Sequence, residues 1–187
     1  MRISEEEKLK TRNKIIESAA RGFRDKGYSG LGIDGLASRA SLTSGAFYGH
    51  FKSKDDAFRA VTIKGLEDYI SALRQFQEKY KDKWLDQFLD YYLGEEHYKD
   101  IESGCIIPGL SNDIVRRDEK TKIVYEDKVN EISSIIANGL DSKDKNHAFA
   151  IMALISGGVL MARAVGSDVA AKNILKSVYN TIHEIIK

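Results

Sequence analysis

The stretch LASRASLTSGAFYGHFKSKD, residues 36–55, decides the fold of the N-terminal part of the chain. Apolar spacing predicts one short helix over about residues 33–40 and a second over about residues 44–50. The break between them, residues 41–43, is tight, and Thr43 is a suitable N-cap for the second helix. Two short helices joined by such a turn form the minimum helix-turn-helix motif.

Longer helices are expected on both sides of this motif. Residues 4–26 carry apolar side chains at helical spacing among many charges, which predicts an amphipathic helix that ends at Gly27. Downstream, Ser53 is a suitable cap for a helix whose apolar stripe extends to Tyr80. At the rise of an α-helix this segment is longer than about 30 Å, which is long enough to join two domains.

The rest of the chain also has helical spacing, and no convincing strand or internal repeat is present. Glycine and charge between residues 94 and 104 predict a loop. Further helices are expected from about residue 83 and over about residues 105–116, 119–139, 143–165 and 168–186. The predicted fold class is therefore all-α, with about nine helices in total.

The composition is that of a soluble globular protein, with 42% apolar and 30% charged residues. The start of the chain lacks the apolar core of a secretory signal, so we expect a cytoplasmic protein without membrane contact. The apolar helix at 143–165 is interpreted as too short, and too interrupted by Ser156-Gly157-Gly158, to span a bilayer. Cys105 is the only cysteine, which excludes a disulfide within the chain. The histidines lack ligand spacing, so neither a metal site nor a cofactor is expected.

The net charge of +1 is distributed unevenly. Residues 1–54 contain eleven Lys and Arg against six Asp and Glu, whereas residues 55–187 contain eighteen against twenty-two. A scatter of solvated charges would explain this difference, because a few residues suffice to produce it. The alternative is a basic N-terminal module that faces phosphates.

The segment from Leu36 to Asp55 resembles the signature of the TetR family of repressors, and the likeness covers roughly residues 12–60. Its most specific part resembles the recognition helix of that family and its exit into the fourth helix: Gly45, Phe47, Tyr48, His50, Phe51, Ser53 and Lys54. Three positions depart from the usual pattern, since Ser41 often is glycine, Gly32 often is Ser or Thr, and Ala57 often is Leu. The resemblance implies a homodimer with an N-terminal three-helix DNA-binding domain, residues 1–53, and a larger helical ligand-binding and dimerisation domain, residues 54–187.

The resemblance also suggests how the motif would contact a palindromic or near-palindromic double-stranded DNA operator. Small side chains at the start of the recognition helix, Thr43, Ser44 and Ala46, are candidates for base-edge contact. Tyr48, His50 and Lys54 can donate to phosphates, although Tyr48 and His50 could instead be surface packing residues. The full set of candidate DNA-binding residues is Ile33, Thr43, Ser44, Gly45, Ala46, Tyr48, His50 and Lys54.

Aromatic and sulfur-containing side chains in the C-terminal part are candidates for a small-molecule site. Such side chains at helical spacing are also typical of an ordinary core, so both interpretations remain open. The candidates are Trp84, Phe88, Tyr91, Tyr92, Cys105, Tyr125, Met152 and Ile155. Cys105 would be an inert buried residue or a sensor thiol whose ionised form the helix dipole favours.

The last two long helices are expected to form the dimer interface, because residues 148–162 carry no charge and should be buried nearly all round. The preferred function is a repressor released from DNA by an unknown small-molecule effector. The alternative is a DNA-binding protein without such a site, regulated by a protein partner or by thiol modification at Cys105. No nucleophile–base motif, phosphate loop or metal cluster supports an enzyme.

Overall fold

The computed structural model describes residues 4–140 and 145–186, and it contains no strand within those ranges. The all-α prediction is confirmed, with one 3-10 turn at Lys81–Lys83. The α-helices are α1 (Glu5–Lys26), α2 (Ile33–Arg39), α3 (Ser44–Tyr48), α4 (Lys54–Tyr80), α5 (Trp84–Tyr92), α6 (Glu95–Lys99), α7 (Ile106–Ile114), α8 (Glu119–Gly139), α9 (Lys145–Ala164) and α10 (Asp168–Ile185).

Local signals in the sequence explain where α1 begins and ends. Ser4 and Glu7 form a capping box, in which each side chain accepts a hydrogen bond from the other residue's backbone N–H. At the other end Gly27 has a φ of 69°, a left-handed conformation that favours glycine. Three acidic residues in the first turn and two basic residues in the last complement the helix dipole.

The helix-turn-helix is built as expected around a small aromatic core. Phe47 and Phe51 are buried, and Thr43 caps α3 by accepting a hydrogen bond from the Ala46 N–H at 3.2 Å. The helix ends at Tyr48, two residues earlier than predicted. In the preceding turn, where relatives often have glycine, Ser41 has a φ of 59°, at which a side chain strains the backbone.

Helix α4 connects the N-terminal motif to the C-terminal helices. Ser53 caps it, as predicted, and α4 packs against α1, α5, α7 and α8. It approaches α7 closely at Gly65, where an added Cβ would lie 2.8 Å from Ile106 Cδ1. The segment predicted as a loop at 94–104 contains the short helix α6, so that prediction was partly wrong.

Helix α9 is buried on one face within a single protomer, so the expectation of burial nearly all round was wrong for the isolated chain. Its inner face includes Ile151 and Ile155, whereas Phe149, Leu160 and Met161 are 39%, 54% and 58% exposed. The predicted start at residue 143 lies outside the described residues. By length and hydropathy alone, residues 146–164 could cross a membrane, contrary to our interpretation, although 39% of the apolar window is buried inside the protein.

Candidate nucleic-acid interface and ligand cavity

Helix α3 and the residue that caps it carry five of the eight predicted DNA-binding residues. Four of the eight are exposed: Thr43, Gly45, Ala46 and Tyr48. The other four are partly exposed: Ile33, Ser44, His50 and Lys54. The same helix buries Phe47 completely, so the core side chain fixes which face of α3 remains available.

Two of these residues already have partners that limit their freedom. The Ser44 hydroxyl donates to Asp34 on α2, which holds the start of α3 against the preceding helix. The Thr43 hydroxyl is an acceptor in the cap. Any base contact by these two groups must therefore use the hydrogen-bonding capacity that these bonds leave.

Basic residues of α1 extend this surface, and sequence reasoning did not single them out. Burial lowers the pKa of His50, and the charges of Lys8 and Arg12 lower it further. Arg12 lies over the Phe51 ring at 4.3 Å, and no described residue accepts a hydrogen bond from its Nη1 atom. The many basic residues of α1 were a signal that this helix contributes to the DNA-binding surface. Only the fold shows that Lys8 and Arg12 lie beside His50.

Lys54 belongs to a cluster that links the motif to the C-terminal helices. Its ammonium lies 4.0 Å from the centre of the Tyr28 ring, and the Arg117 guanidinium lies 3.6 Å from that centre. The Tyr28 hydroxyl donates to Asp55 at 2.9 Å, and the Tyr28 N–H donates to Asp113 at 2.9 Å. We call these five residues the Tyr28 clamp. Burial, followed by the Arg117 charge, lowers the pKa of Lys54.

A cavity of about 140 Å3 lies where α1, α4, α5 and α6 meet the start of α7. We call it the Tyr92 cavity and define it by residues that line it: Arg24, Tyr69, Phe88, Tyr92, His97 and Cys105. Tyr69 meets Phe88 edge to face with ring centres 5.8 Å apart, and the His97 and Tyr92 rings are 4.1 Å apart. The cavity therefore combines apolar walls with several polar groups.

Among the described residues, three polar atoms at this cavity have no hydrogen bond of good geometry: Arg24 Nε, the Tyr92 hydroxyl and His97 Nδ1. The Tyr92 backbone lies close enough to the His97 ring to raise its pKa, although burial has the larger and opposite effect. The Cys105 thiol lies near the hydroxyl, but sulfur is a weak hydrogen-bonding group. Burial raises the pKa of Tyr92 and lowers the pKa of His97. An unpaired buried polar group costs about 1–3 kcal/mol, so three at one cavity indicate a place for a ligand or ordered water.

Cys105 is the N-cap of α7, and its sulfur accepts from the Ile107 N–H at 3.4 Å, so the expected position at a helix start is confirmed. The expected stabilisation of the thiolate at the helix start is present, since the Ile107 N–H lowers the pKa of Cys105, but it is not the largest effect. Burial raises the pKa of Cys105 and outweighs the opposing contributions of the Tyr92 hydroxyl and the Ile107 N–H. The neutral thiol is therefore the favoured form at neutral pH.

The structure brings together four of the eight candidate ligand-binding residues, since Phe88, Tyr91, Tyr92 and Cys105 all line the Tyr92 cavity. Trp84 lines a separate, larger hollow of about 700 Å3 and donates to the Gly139 carbonyl at 2.8 Å. Tyr125 lies against Ser111, with 3.0 Å between the hydroxyls. The remaining two, Met152 and Ile155, are buried on α9.

Among the six residues that define the cavity, sequence reasoning missed three: Arg24, Tyr69 and His97. Arg24 lies on α1 and His97 on α6, far apart in the chain. No local pattern signals that such distant side chains share a wall. Only the packing of α1 against α4 and α7 brings them together.

Comparisons with known proteins agree with this arrangement. Residues 15–61 match the family model of bacterial regulatory proteins of the TetR family. The repressor NemR of Escherichia coli K12 is 22% identical over 167 residues, or 87% of this chain and 84% of NemR. The activator FasR of Mycolicibacterium smegmatis is 33% identical over 64 residues, and the match covers 34% of this chain and 29% of FasR.

Solved structures extend the likeness over nearly the whole fold. The reduced form of E. coli NemR has a TM-score of 0.77 at 21% identity and covers 91% of this chain and 96% of that chain. A TetR transcriptional regulator from Legionella pneumophila also has a TM-score of 0.77, at 19% identity. The match covers 97% of this chain and 100% of that chain.

The helix-turn-helix and the helical body that follows it define a class, the DNA-binding transcriptional regulators. Within that class, residues 15–61 match the TetR family model, and the chain as a whole is similar in fold to TetR-family regulators. These relatives are transcriptional regulators rather than enzymes, and regulators of that family bind operator DNA and dimerise.

Proposed function

We propose that this protein is a homodimeric repressor, released from its operator by a small molecule that binds in the Tyr92 cavity. The observation that carries the proposal is the set of three unpartnered polar atoms at a cavity shared by α1 and the C-terminal helices. Residues 1–53 form the DNA-binding domain in this account, and residues 54–187 form the domain that binds the ligand and the second protomer. The protein acts in the cytoplasm, where its operator is.

The ligand acts through the position of the DNA-binding domain. DNA binding requires one particular distance between the two DNA-binding domains of the dimer. A ligand lowers the affinity for DNA when it binds more tightly to a conformation of the dimer in which that distance is different. Arg24 on α1 and Tyr69 on α4 both line the cavity, so a bound ligand contacts two elements that position the domain. The Tyr28 clamp provides a second link between the domains.

The dimer forms through α9 and α10. The apolar residues Phe149, Leu160 and Met161 are exposed on α9, as expected of a face that a second protomer covers. An added Cβ at Gly157 would meet nothing within 4 Å, whereas at Gly158 it would lie 2.6 Å from Val178 of the same chain. Gly157 is thus available for close approach of the partner, and Gly158 serves the packing of α9 on α10.

The test begins with duplexes that the protein selects from a random pool. A metabolite library is then screened by thermal shift, and each stabilising compound is tested for release of the selected duplex. At least one compound should do both, and Ala72→Phe, which fills the cavity, should abolish release while DNA binding persists. Equal release of the variant would place the effector elsewhere, and a library without any releasing compound would favour regulation by a partner protein.

Thiol modification at Cys105 is the second candidate mechanism, because this thiol lines the cavity. It also receives support from NemR, whose solved structure is described as a reduced form. In this mechanism, Cys105→Ser retains operator affinity but loses release by oxidants or electrophiles. If the variant is released as readily as the wild type, or if no thiol reagent affects wild-type binding, the thiol has no sensing role.

A further inference from the structure

The unpartnered atoms of the Tyr92 cavity define what its ligand must offer. The side chain of Tyr92 is 2% exposed, and its hydroxyl can donate a hydrogen bond. Arg24 Nε can only donate, and His97 Nδ1 can donate in one of its two neutral tautomers. A ligand group that accepts hydrogen bonds therefore satisfies all three atoms.

Two partly buried arginines favour a negatively charged acceptor. Arg24 Nη1 donates to the Glu102 carbonyl at 3.1 Å, and Arg163 donates to the carbonyls of Tyr98 and Asp100 at 2.8 and 3.1 Å. In the described part of the chain, neither guanidinium has a carboxylate oxygen within 4.0 Å. Burial is the main cause that lowers the pKa of both arginines, as expected of cations that lack a full counter-charge.

The carboxylates nearest to Arg24 offset this charge only in part. Asp68 and Asp100 both act to raise the pKa of Arg24, but burial outweighs them, and the Asp68 carboxylate also pairs with the Lys64 ammonium one turn away on α4. Burial lowers the pKa of His97, so its ring is neutral at neutral pH. Burial also keeps Tyr92 and Cys105 protonated. Arg24 is thus the charge at the cavity that a ligand can pair with.

The walls and the volume of the cavity indicate what shape of ligand group would fill it. Phe88 and Tyr91 present aromatic surface to the cavity, and Tyr69 stands edge-on to the Phe88 ring. The volume of about 140 Å3 is close to that of an apolar cavity that accepts a single benzene ring. A planar molecule with one ring and one small polar group matches this space.

We infer that the Tyr92 cavity binds a small aromatic carboxylate of about the size of benzoate, with the carboxylate on Arg24 and Tyr92 and the ring against Phe88. The inference rests on the proposed function, since it names the ligand class of the same cavity. In this arrangement, Arg24 pairs with the ligand's charge and also connects the ligand to the DNA-binding domain. Because Arg24 belongs to α1, the ligand's charged group binds the DNA-binding domain directly while its ring binds α5.

The test compares benzoate with benzamide, a neutral molecule of nearly the same shape, by calorimetric titration of the full-length protein without DNA. Benzoate should bind at least about tenfold more tightly, because a charge-assisted hydrogen bond to arginine is much stronger than a neutral one. Arg24→Gln should remove this preference, whereas Arg21→Gln, an exposed arginine one turn earlier on α1, should retain it. Arg24→Lys, which keeps the charge, should retain part of the preference and provides a second variant if Arg24→Gln fails to fold.

Three results would overturn the inference: no benzoate binding at millimolar concentration, equal binding of benzamide by the wild type, or a preference that survives Arg24→Gln. None of them would refute the proposed function, because a ligand of another class could still release the protein from DNA. Conversely, benzoate could bind with the expected preference and leave operator affinity unchanged. In that case the ligand class would stand and the proposed release mechanism would fail.

Discussion

Ser41 occupies the turn of the helix-turn-helix in a conformation that suits glycine, with a φ of 59°. A left-handed residue other than glycine costs about 1–2 kcal/mol, and the greater freedom of glycine in the unfolded chain offsets about 0.5–1 kcal/mol of any gain. Ser41→Gly should therefore raise the free energy of unfolding by a few tenths to about 1 kcal/mol. Urea denaturation at fixed protein concentration measures the change.

Ser38 provides the matched control for this prediction, because it is also an exposed serine but lies within α2. Ser38→Gly should lower stability, since glycine is a poor helix former. If both variants changed stability in the same direction, the backbone conformation at residue 41 would not be the cause.

Lys54 and Ser44 are predicted to contact different parts of DNA, so replacing each of them should change DNA binding in a different way. Losing a phosphate contact at Lys54 weakens operator and random DNA alike and reduces the slope of log affinity against log salt by about one unit. Ser44→Ala should leave that slope unchanged and lose about 1–3 kcal/mol of discrimination at one base pair per half-site if the contact is direct. Salt titrations of Lys54→Ala and Ser44→Ala on operator and scrambled duplexes measure both effects.

Lys79, an exposed lysine at the far end of α4, is the control for charge removal and should leave the slope intact when replaced by alanine. The experiment also tests a second role for Lys54, because its ammonium lies over the Tyr28 ring in the free protein. An unaltered slope for Lys54→Ala would assign this lysine to the domain contact alone.

At the level of elements, the Tyr28 clamp stabilises the contact between the DNA-binding domain and the α7–α8 region. Arg117 lies over the Tyr28 ring and is 3.4 Å from Asp55. Arg117→Met keeps much of the stem and removes the charge, so it should cost about 1 kcal/mol or more, given the usual strength of partly buried cation–π contacts. Arg116→Met is the control, because Arg116 is more exposed and its nearest carboxylate is 3.8 Å away.

The pKa of Lys54 gives an independent signal for this prediction. Because the Arg117 charge is one cause that lowers it, Arg117→Met should raise the Lys54 pKa, and Arg116→Met should not. Nuclear magnetic resonance of the lysine side chain follows both variants. A clamp that merely packs, without electrostatic contact, would leave the Lys54 pKa unchanged.

Helix boundaries were predictable because their signals are local. The caps at Thr43 and Ser53 and the C-cap at Gly27 lie within a few residues of the groups that they satisfy, and α8 has the bounds that its spacing predicted. The ligand cavity was only partly predictable. Aromatic residues of α5 share a stripe visible in the sequence, but the contribution of Arg24 depends on packing between distant helices.

At the level of the whole molecule, the apolar pattern of α9 was ambiguous about which chain buries the helix. A helix that is apolar all round is expected to be buried, and the pattern does not distinguish burial by the same chain from burial by a second copy. In the protomer one face packs against α8 and α10, and the face with Leu160 and Met161 remains exposed.

Leu160→Glu should therefore disrupt the dimer, because it would place a charge in a desolvated interface. Val115→Glu is the matched control, since Val115 is an exposed apolar residue outside α9 and α10, with 67% of its surface accessible. Sedimentation at micromolar concentration should show a monomer of about 21 kDa for the first variant and a dimer for the second. A dimeric Leu160→Glu, or a monomeric wild type, would contradict the assigned interface.

Operator binding should weaken together with dimerisation, because each domain reads only half of a two-fold site. The selected duplexes should contain two similar half-sites about one helical turn apart. If Leu160→Glu is monomeric yet binds the selected duplex as tightly as the wild type, the site is not read by a dimer.

If α3 reads DNA sequence in a dimer, the affinity of the protein at physiological salt should differ between the selected duplex and a scrambled duplex of equal length. Two protomers should bind the selected duplex, with a preference of about a thousandfold or more over the scrambled one. Equal affinity for the two duplexes would contradict it, because the basic surface would then bind phosphates without reading the bases.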